Sequence, residues 1–315
     1  MRDTLPAILA RMPHPMILDC DPGHDDAIAI LLALASPEVE LLAVTSVAGN
    51  ATLANTTANA IRVLDFAGRA DIPVAAGADR PLVRDPIVAS GTHGDTGLDG
   101  PELPAPSRDP DSRHAIDLIA ELAFAHGEPV TLVATGPLTN VGLLLARHPA
   151  AAQALNRIVL MGGSMGPGNV TPSAEFNIWA DPEAAQRVFT GGLDVTMVGL
   201  DVTHQALIDR EAAERLRSSG RAGRLVAELV DFYGLAHTHM AGSPIHDAVA
   251  LAALLDPDML TLEQVHIEVD RGELCRGRTV VDVHGVTGLP RTCRVATAIR
   301  PGFAGFLTER IARLG

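Results

Sequence analysis

An open, mostly parallel α/β sheet with helices on both faces is the fold class that this 315-residue sequence predicts. Short apolar runs alternate with helical patterns through the first two thirds of the chain, and unusual polar residues stand just after the apolar runs. Composition agrees: 47% hydrophobic and 20% charged residues can build a large core and rule out global disorder. No linker, charge run, low-complexity tract or repeat divides the chain. Residues 1–315 are therefore read as one domain, with 1–14 as an N-terminal extension.

The elements follow in order. Met16–Cys20 reads as a buried strand, and His24–Ala35, apolar nearly all round, as a buried helix. Val39–Val47 is the second strand, Leu53–Phe66 a helix and Ile72–Ala76 the third strand. A long loop rich in Gly, Pro and Asp runs from about Ala78 to Ser112. Helix 113–126, strand Val130–Thr135, helix 137–147 and strand Ile158–Met161 continue the βα rhythm. A second long loop reaches Trp179, followed by helix 182–189 and strand Val195–Leu200. The last third is mixed, with helices near 209–219, 221–239 and 246–255, strands near 264–269, 278–284 and 293–298, and a final helix 302–313.

Several function classes fall away at once. The longest unbroken apolar run, Ala27–Ala35, is too short to span a bilayer, so no membrane association is expected. The patch Leu5–Ala10 is short and lacks a cleavage site, which makes the cytoplasm the expected compartment. Cys20, Cys275 and Cys293 form no CxxC pair and are too few for a disulfide framework. With 38 acidic and 24 basic residues the formal charge is −14, and no basic stripe marks a nucleic-acid polymer binder. All 24 basic residues are arginine. A Walker A loop, a pyridoxal Schiff base and a lysine aldolase each need a lysine, so those chemistries are excluded.

Ligands of open α/β sheets sit outside the carboxyl ends of the strands. Asp19, Asp21, Asp25 and Asp26 follow the first strand, Asn50 the second, and Thr135 ends the strand Val130–Thr135. Asp19-Cys20-Asp21-Pro22-Gly23-His24-Asp25-Asp26 packs four carboxylates into eight residues, which repel one another without a cation. Their hard oxygens suit Ca²⁺ or Mg²⁺, and Pro22-Gly23 supplies a turn that folds both halves onto one ion. An acidic helix N-terminus explains one or two of these acids, not four. Asp21 and Asp26 are the better ligands, and Asp19 the one open to a structural role.

Three weaker signals lie elsewhere. Ser243-Pro244-Ile245-His246-Asp247 begins an apolar helix; it is either a capping Asp beside a surface His or an acid titrating near neutral pH. The loop Met161-Gly162-Gly163-Ser164 through Asn169 to Glu175 and Asn177 contains no G-x-G-x-x-G. It offers neutral and anionic partners for hydroxyl groups, or is a plain polar loop. His93, in Gly91-Thr92-His93-Gly94-Asp95, is by itself most simply a solvated loop residue.

Together these stretches resemble the inosine–uridine nucleoside hydrolase family. The resemblance is carried by Ile17–Ala27, Val47-Ala48-Gly49-Asn50, Thr135-Gly136-Pro137-Leu138-Thr139-Asn140, Val159–Gly163, Ala174–Ile178 with Asp181–Ala185, and His246-Asp247. Their order holds from about residue 15 to 310, and the aspartate motif is the most specific element. Ala248-Val249 departs from the family pattern but touches no proposed ligand.

The resemblance implies a single-domain, Rossmann-like α/β fold, one bound Ca²⁺, and hydrolysis of the N-glycosidic bond of purine or pyrimidine ribonucleosides to ribose and free base. It implies that Asp21, Asp26 and Asp247 hold calcium by side chains and Thr135 by its carbonyl, with Asp21 the base toward a calcium-bound water. Asp25, Asn169, Glu175, Asn177 and Asp247 would hold the ribose hydroxyls, with Asn50 lining the pocket. His246 matches the general acid toward the leaving base, and His93 a histidine on the base side. Relatives suggest a homodimer or homotetramer. Two rivals are weighed against this. A Mg²⁺-dependent aspartyl phosphohydrolase fits Asp19-x-Asp21 after a strand, but that class needs a lysine. A non-catalytic nucleoside- or metal-binding protein on the same fold leaves the full set of catalytic groups unexplained.

Overall fold

Strand β1 (His14–Cys20) lies inside a nine-stranded sheet and shows why the sheet forms. Met16, Leu18 and Cys20 enter one apolar cluster and Ile17 enters the other. Successive strand residues face opposite sides, so a strand covered on both faces reads as an unbroken apolar run. The computed structural model describes residues 12–315. The expected N-terminal extension and the patch Leu5–Ala10 fall largely or wholly on residues 1–11, outside the described residues, and His14 already opens β1.

The chain continues through α1 (His24–Leu34), β2 (Val39–Ser46), α2 (Leu53–Phe66), β3 (Val74–Ala76), α3 (Ser90–His93), α4 (Ala115–Ala125), β4 (Thr131–Ala134), α5 (Thr139–Arg147) and α6 (Pro149–Ala154). Next come β5 (Arg157–Met161), α7 (Phe176–Ala180), α8 (Pro182–Thr190), β6 (Val195–Val198), α9 (Leu200–Thr203), β7 (Leu207–Ile208), α10 (Arg210–Arg217) and α11 (Arg221–Gly234). The last elements are β8 (Ser243–Pro244), α12 (His246–Leu255), β9 (Leu260–Val269), β10 (Thr279–Asp282), β11 (Cys293–Ile299) and α13 (Phe303–Ile311).

The large sheet has the order β10-β9-β11-β6-β5-β4-β1-β2-β3. Strand β9 runs antiparallel to both neighbours, and every other pairing in that sheet is parallel. Helices α1, α2 and α10 to α13 cover one face, while α4, α5, α6 and α8 cover the other. No helix among the described residues is long and apolar enough to cross a membrane.

The strand order reverses between β1 and β4. From β1 the chain steps outward to β2 and β3; from β4 it steps the opposite way to β5 and β6. At such a reversal the two following connections diverge and leave a crevice beyond the carboxyl ends of the strands. Cys20 and Ala134 end the two strands that flank it.

The expected elements are present, and the differences are local. Helix α11 ends at Gly234 and passes into a 3₁₀ turn, Leu235–His237, instead of running to 239. Strand β9 begins at Leu260, not 264, because its outward residues Thr261 to Gln264 are exposed and break the apolar pattern. The loops contain the short helices α3 and α7, while α6 and α9 follow α5 and β6 after a single residue; none spans enough residues to establish a hydrophobic period.

Candidate active site

The crevice between β1 and β4 opens into a cavity of ≈ 590 Å³. Asp25, Asn50, His93, Thr135, Asn169, Glu175, Asn177, His246 and Asp247 line it. Asp21 and Asp26 lie beneath this lining, both fully buried. The eleven residues to which the family resemblance gives a role are thus brought to one place, from segments between Asp21 and Asp247.

The floor is built by the turn after β1. Asp26 accepts the Gly23 N–H at 3.1 Å, closing the first turn of α1, so the helix-capping account of this acid is correct as far as it goes. Its remaining contacts face the cavity floor. Oδ1 accepts the Thr135 hydroxyl at 2.8 Å, and Oδ2 accepts the Asn50 side-chain amide at 3.0 Å. Oxygens of Asp25, Asp26 and Asp247 all come within 4.8 Å of one another. Asp21 stands beside this trio: its Oδ2 accepts the Asn50 N–H at 2.7 Å, and its buried Oδ1 has no hydrogen-bond partner.

Asp21 is held by close neighbours. A Cβ on Gly49 would lie 2.1 Å from its Oδ2, and one on Gly136 would lie 2.7 Å from its Oδ1. Glycine at both positions lets two loops close around the carboxylate. Asp19 is different. It pairs across the ladder with Thr45, whose hydroxyl donates to Oδ1 at 2.6 Å, and the Asn140 amide donates to the same oxygen at 2.8 Å. It braces β1, β2 and α5 below the site.

Burial raises all four crowded carboxyls above their ordinary range. The charge of Asp26 lifts Asp21 and Asp25 further, and that of Asp25 lifts Asp247; Asp25 reaches about 8. Removing water from like charges at this separation favours protons or a cation. Clustered carboxylates, one buried unpaired oxygen and an adjacent main-chain carbonyl form a donor set suited to a hard divalent cation.

The walls are set by other strand ends. Glu175 caps α7, accepting the N–H groups of Gly163, Asn177 and Ile178 at 2.9, 2.9 and 3.2 Å. Burial nevertheless pushes its carboxyl up to about 7. Asn177 donates to the Thr135 carbonyl at 2.8 Å and to the Met161 carbonyl at 3.2 Å, tying the ends of β4 and β5 together. The Thr135 carbonyl keeps a second lone pair. Asn169 is exposed at the rim, where its Oδ1 accepts the Phe176 N–H.

One end of the cavity is rich in histidine. His93 is buried, not solvated, with Nδ1 3.1 Å from Nδ1 of His24. Nε2 of His24 lies 2.8 Å from the Asp99 carbonyl, and its ring stacks on Phe232. His246 is buried as well, with Nδ1 2.8 Å from the Thr203 hydroxyl. Burial, then His204 and His237, hold its pKa down at about 3, so at neutral pH its ring is a neutral hydrogen-bonding group.

Sequence reasoning missed His204, Tyr233, His237 and His239, which line the same end. The pair His237-Thr238-His239 just past an amphipathic helix was the available signal. Tyr233 gave none, since its ring continues the apolar stripe of α11.

Fold and cleft define an α/β enzyme with a carboxylate-floored site at its topological switch point. Comparison with known proteins makes this specific. Residues 16–303 match the model of the inosine-uridine preferring nucleoside hydrolase family, and the chain belongs to that family. The pyrimidine-specific ribonucleoside hydrolase RihA of Citrobacter koseri is 50% identical over 308 residues, 96% of this chain and 99% of its own. RihA of Escherichia coli O7:K1 is 48% identical, covering 95% and 99%. Among solved structures, a purine-preferring ribonucleoside hydrolase from Gardnerella vaginalis superposes with a TM-score of 0.90 at 34% identity, covering 95% of this chain and 98% of its own.

Proposed function

We propose that this chain hydrolyses the N-glycosidic bond of ribonucleosides, pyrimidine ribonucleosides foremost, releasing ribose and free base with the help of one Ca²⁺ ion. The observation that carries the reading is the carboxylate floor of a cavity whose walls bear hydroxyl-binding groups at one end and histidines at the other. The preference for pyrimidines rests on the relatives at about 50% identity, which are named for it.

Asp21, Asp26 and Asp247 would hold the ion by side chains and Thr135 by its carbonyl. Bound there, calcium supplies a fixed positive charge that orients water and sugar hydroxyls and makes the water more acidic. Asp21, with one oxygen free of protein partners, takes the proton of the attacking water. Asp25, Asn169, Glu175, Asn177 and Asp247 grip the ribose hydroxyls, and Asn50 fixes Asp21 and Asp26 from the side. Glycosidic cleavage builds positive charge on the sugar ring, which the surrounding carboxylates stabilise. The departing base carries negative charge and is met by an N–H of His246, with His93 beside it. An uncharged nucleoside suits this acidic cleft better than a nucleotide does.

The protein is expected to work in the cytoplasm as a homodimer or homotetramer, which sedimentation velocity checks. The decisive assay is ribose release from uridine, cytidine and inosine, with and without EDTA. Activity that EDTA abolishes and calcium restores supports the reading. Nucleoside binding without turnover would leave only a binding protein, and turnover of phosphate monoesters in its place would favour a phosphohydrolase.

A further inference from the structure

Thr203 is not among the groups assigned above, yet it makes the hydrogen bond that orients His246. It lies at the end of α9, just beyond the carboxyl end of β6, and is fully buried. Its hydroxyl stands 2.8 Å from Nδ1 of His246 and makes no other hydrogen bond among the described residues. A buried hydroxyl proton needs an acceptor, and here Nδ1 is the acceptor within reach. With Nδ1 accepting, the ring carries its own N–H at Nε2, which makes no hydrogen bond within the described chain and belongs to a residue lining the cavity.

We propose that Thr203 is a positioning residue for leaving-group activation: its hydroxyl holds the His246 ring in place and fixes the tautomer that presents Nε2–H to the departing base. The inference rests on the role given to His246 above and deepens it. Without the hydroxyl, the ring loses its anchor and the proton can shift to Nδ1, which leaves a bare nitrogen facing a base that is becoming negative. Second partners that set a histidine's tautomer act in this way at many sites. Nothing in the sequence marks Thr203: the strand expected over Val195–Leu200 stops short of it, and its partner lies far along the chain.

The test compares two substrates that differ in leaving group. Uridine needs help with its base, whereas p-nitrophenyl riboside carries a leaving group that is stable unprotonated. Thr203→Val keeps the side-chain shape and removes the hydroxyl; Thr203→Ser keeps the hydroxyl. Thr203→Val is expected to lower kcat for uridine on the order of tenfold, with p-nitrophenyl riboside changed by less than about twofold. Thr203→Ser should behave like the native protein, and His246→Ala should show the same substrate-selective pattern more strongly. Thr203→Ala carries the same expectation should the valine variant not fold. Equal losses on both substrates, no loss on uridine, or a serine variant as impaired as valine would overturn the positioning role. If His246→Ala itself slows both substrates equally, the assignment of His246 fails instead, so the two failures are distinct.

Discussion

Gly49→Ala tests how tightly the site holds Asp21. The added Cβ would lie 2.1 Å from Oδ2 of Asp21, 2.7 Å from Cδ of Pro137 and 2.9 Å from its Cγ. Non-bonded contacts of this kind settle near 3.5 Å, so the methyl lacks about an ångström of room. Gly49 does not have a positive φ, so alanine strains no torsion and the cost is one of contact. The proline ring is fixed by its own backbone, which leaves the Asp21 carboxylate to give way. Moving it breaks the 2.7 Å bond from the Asn50 N–H and shifts the free Oδ1 from its place. A displacement of about 1 Å in a reacting group costs on the order of 100-fold in rate, and overpacking costs about 1–3 kcal/mol in stability. The assay is kcat for uridine at saturating calcium, with Tm measured in parallel. Gly127→Ala, where a Cβ meets nothing within 4 Å, is the control for the substitution itself. A folded Gly49→Ala protein within about threefold of native kcat would refute the claim that activity depends on the placement of Asp21.

Three other outcomes are expected. Asp26→Ala should lose stoichiometric calcium and nearly all activity; elemental analysis showing one calcium per chain would remove Asp26 from the ligand set. Uridine should exceed 2′-deoxyuridine in kcat/KM on the order of 100-fold, because a site built around a hydroxyl leaves buried polar groups unpaired without it; ratios within about tenfold would withdraw Asp25 from ribose recognition. Arg310, nearly buried, donates to Glu38 at 2.7 and 2.8 Å and to Ser36 at 3.1 Å, so Arg310→Gln should cost about 1–2 kcal/mol by urea denaturation. Those bonds hold the Glu38 carboxyl below its usual range, so their contribution is present above the unfolded pKa of Glu38 and fades as pH falls through the lowered one. An Arg310→Gln protein that loses as much stability on acidification as the native one would contradict that link.

The fold was readable where apolar period and element length agreed. Strand β1 and helix α1 are apolar on all sides because both are covered on all sides, and their limits in sequence nearly match those in the structure. The four-residue helices α3 and α9 were not readable, since one turn carries no period. The carboxylate motif announced a site because the repulsion among four acids is visible in any sequence. His93 did not: in sequence it is a loop residue between glycines, and only the packing of His24 and Tyr233 against its ring makes it a wall of the cavity. Thr203 and Tyr233 were hidden for the same reason, as each gains its meaning from a partner distant in the chain.

The floor of the cleft draws on segments far apart in the polypeptide: Asp21 and Asp26 follow the first strand, while Asp247 stands in the first turn of α12, within the last third of the chain. An ion gripped by both acts as a tether between segments that the unfolded chain holds far apart. By mass action, each ion bound to the native form and not to the unfolded one deepens the native well, by about 2.7 kcal/mol when free calcium stands at a hundred times its dissociation constant. With calcium in the site proposed above, survival of the folded chain against heat and proteases would follow the supply of the ion.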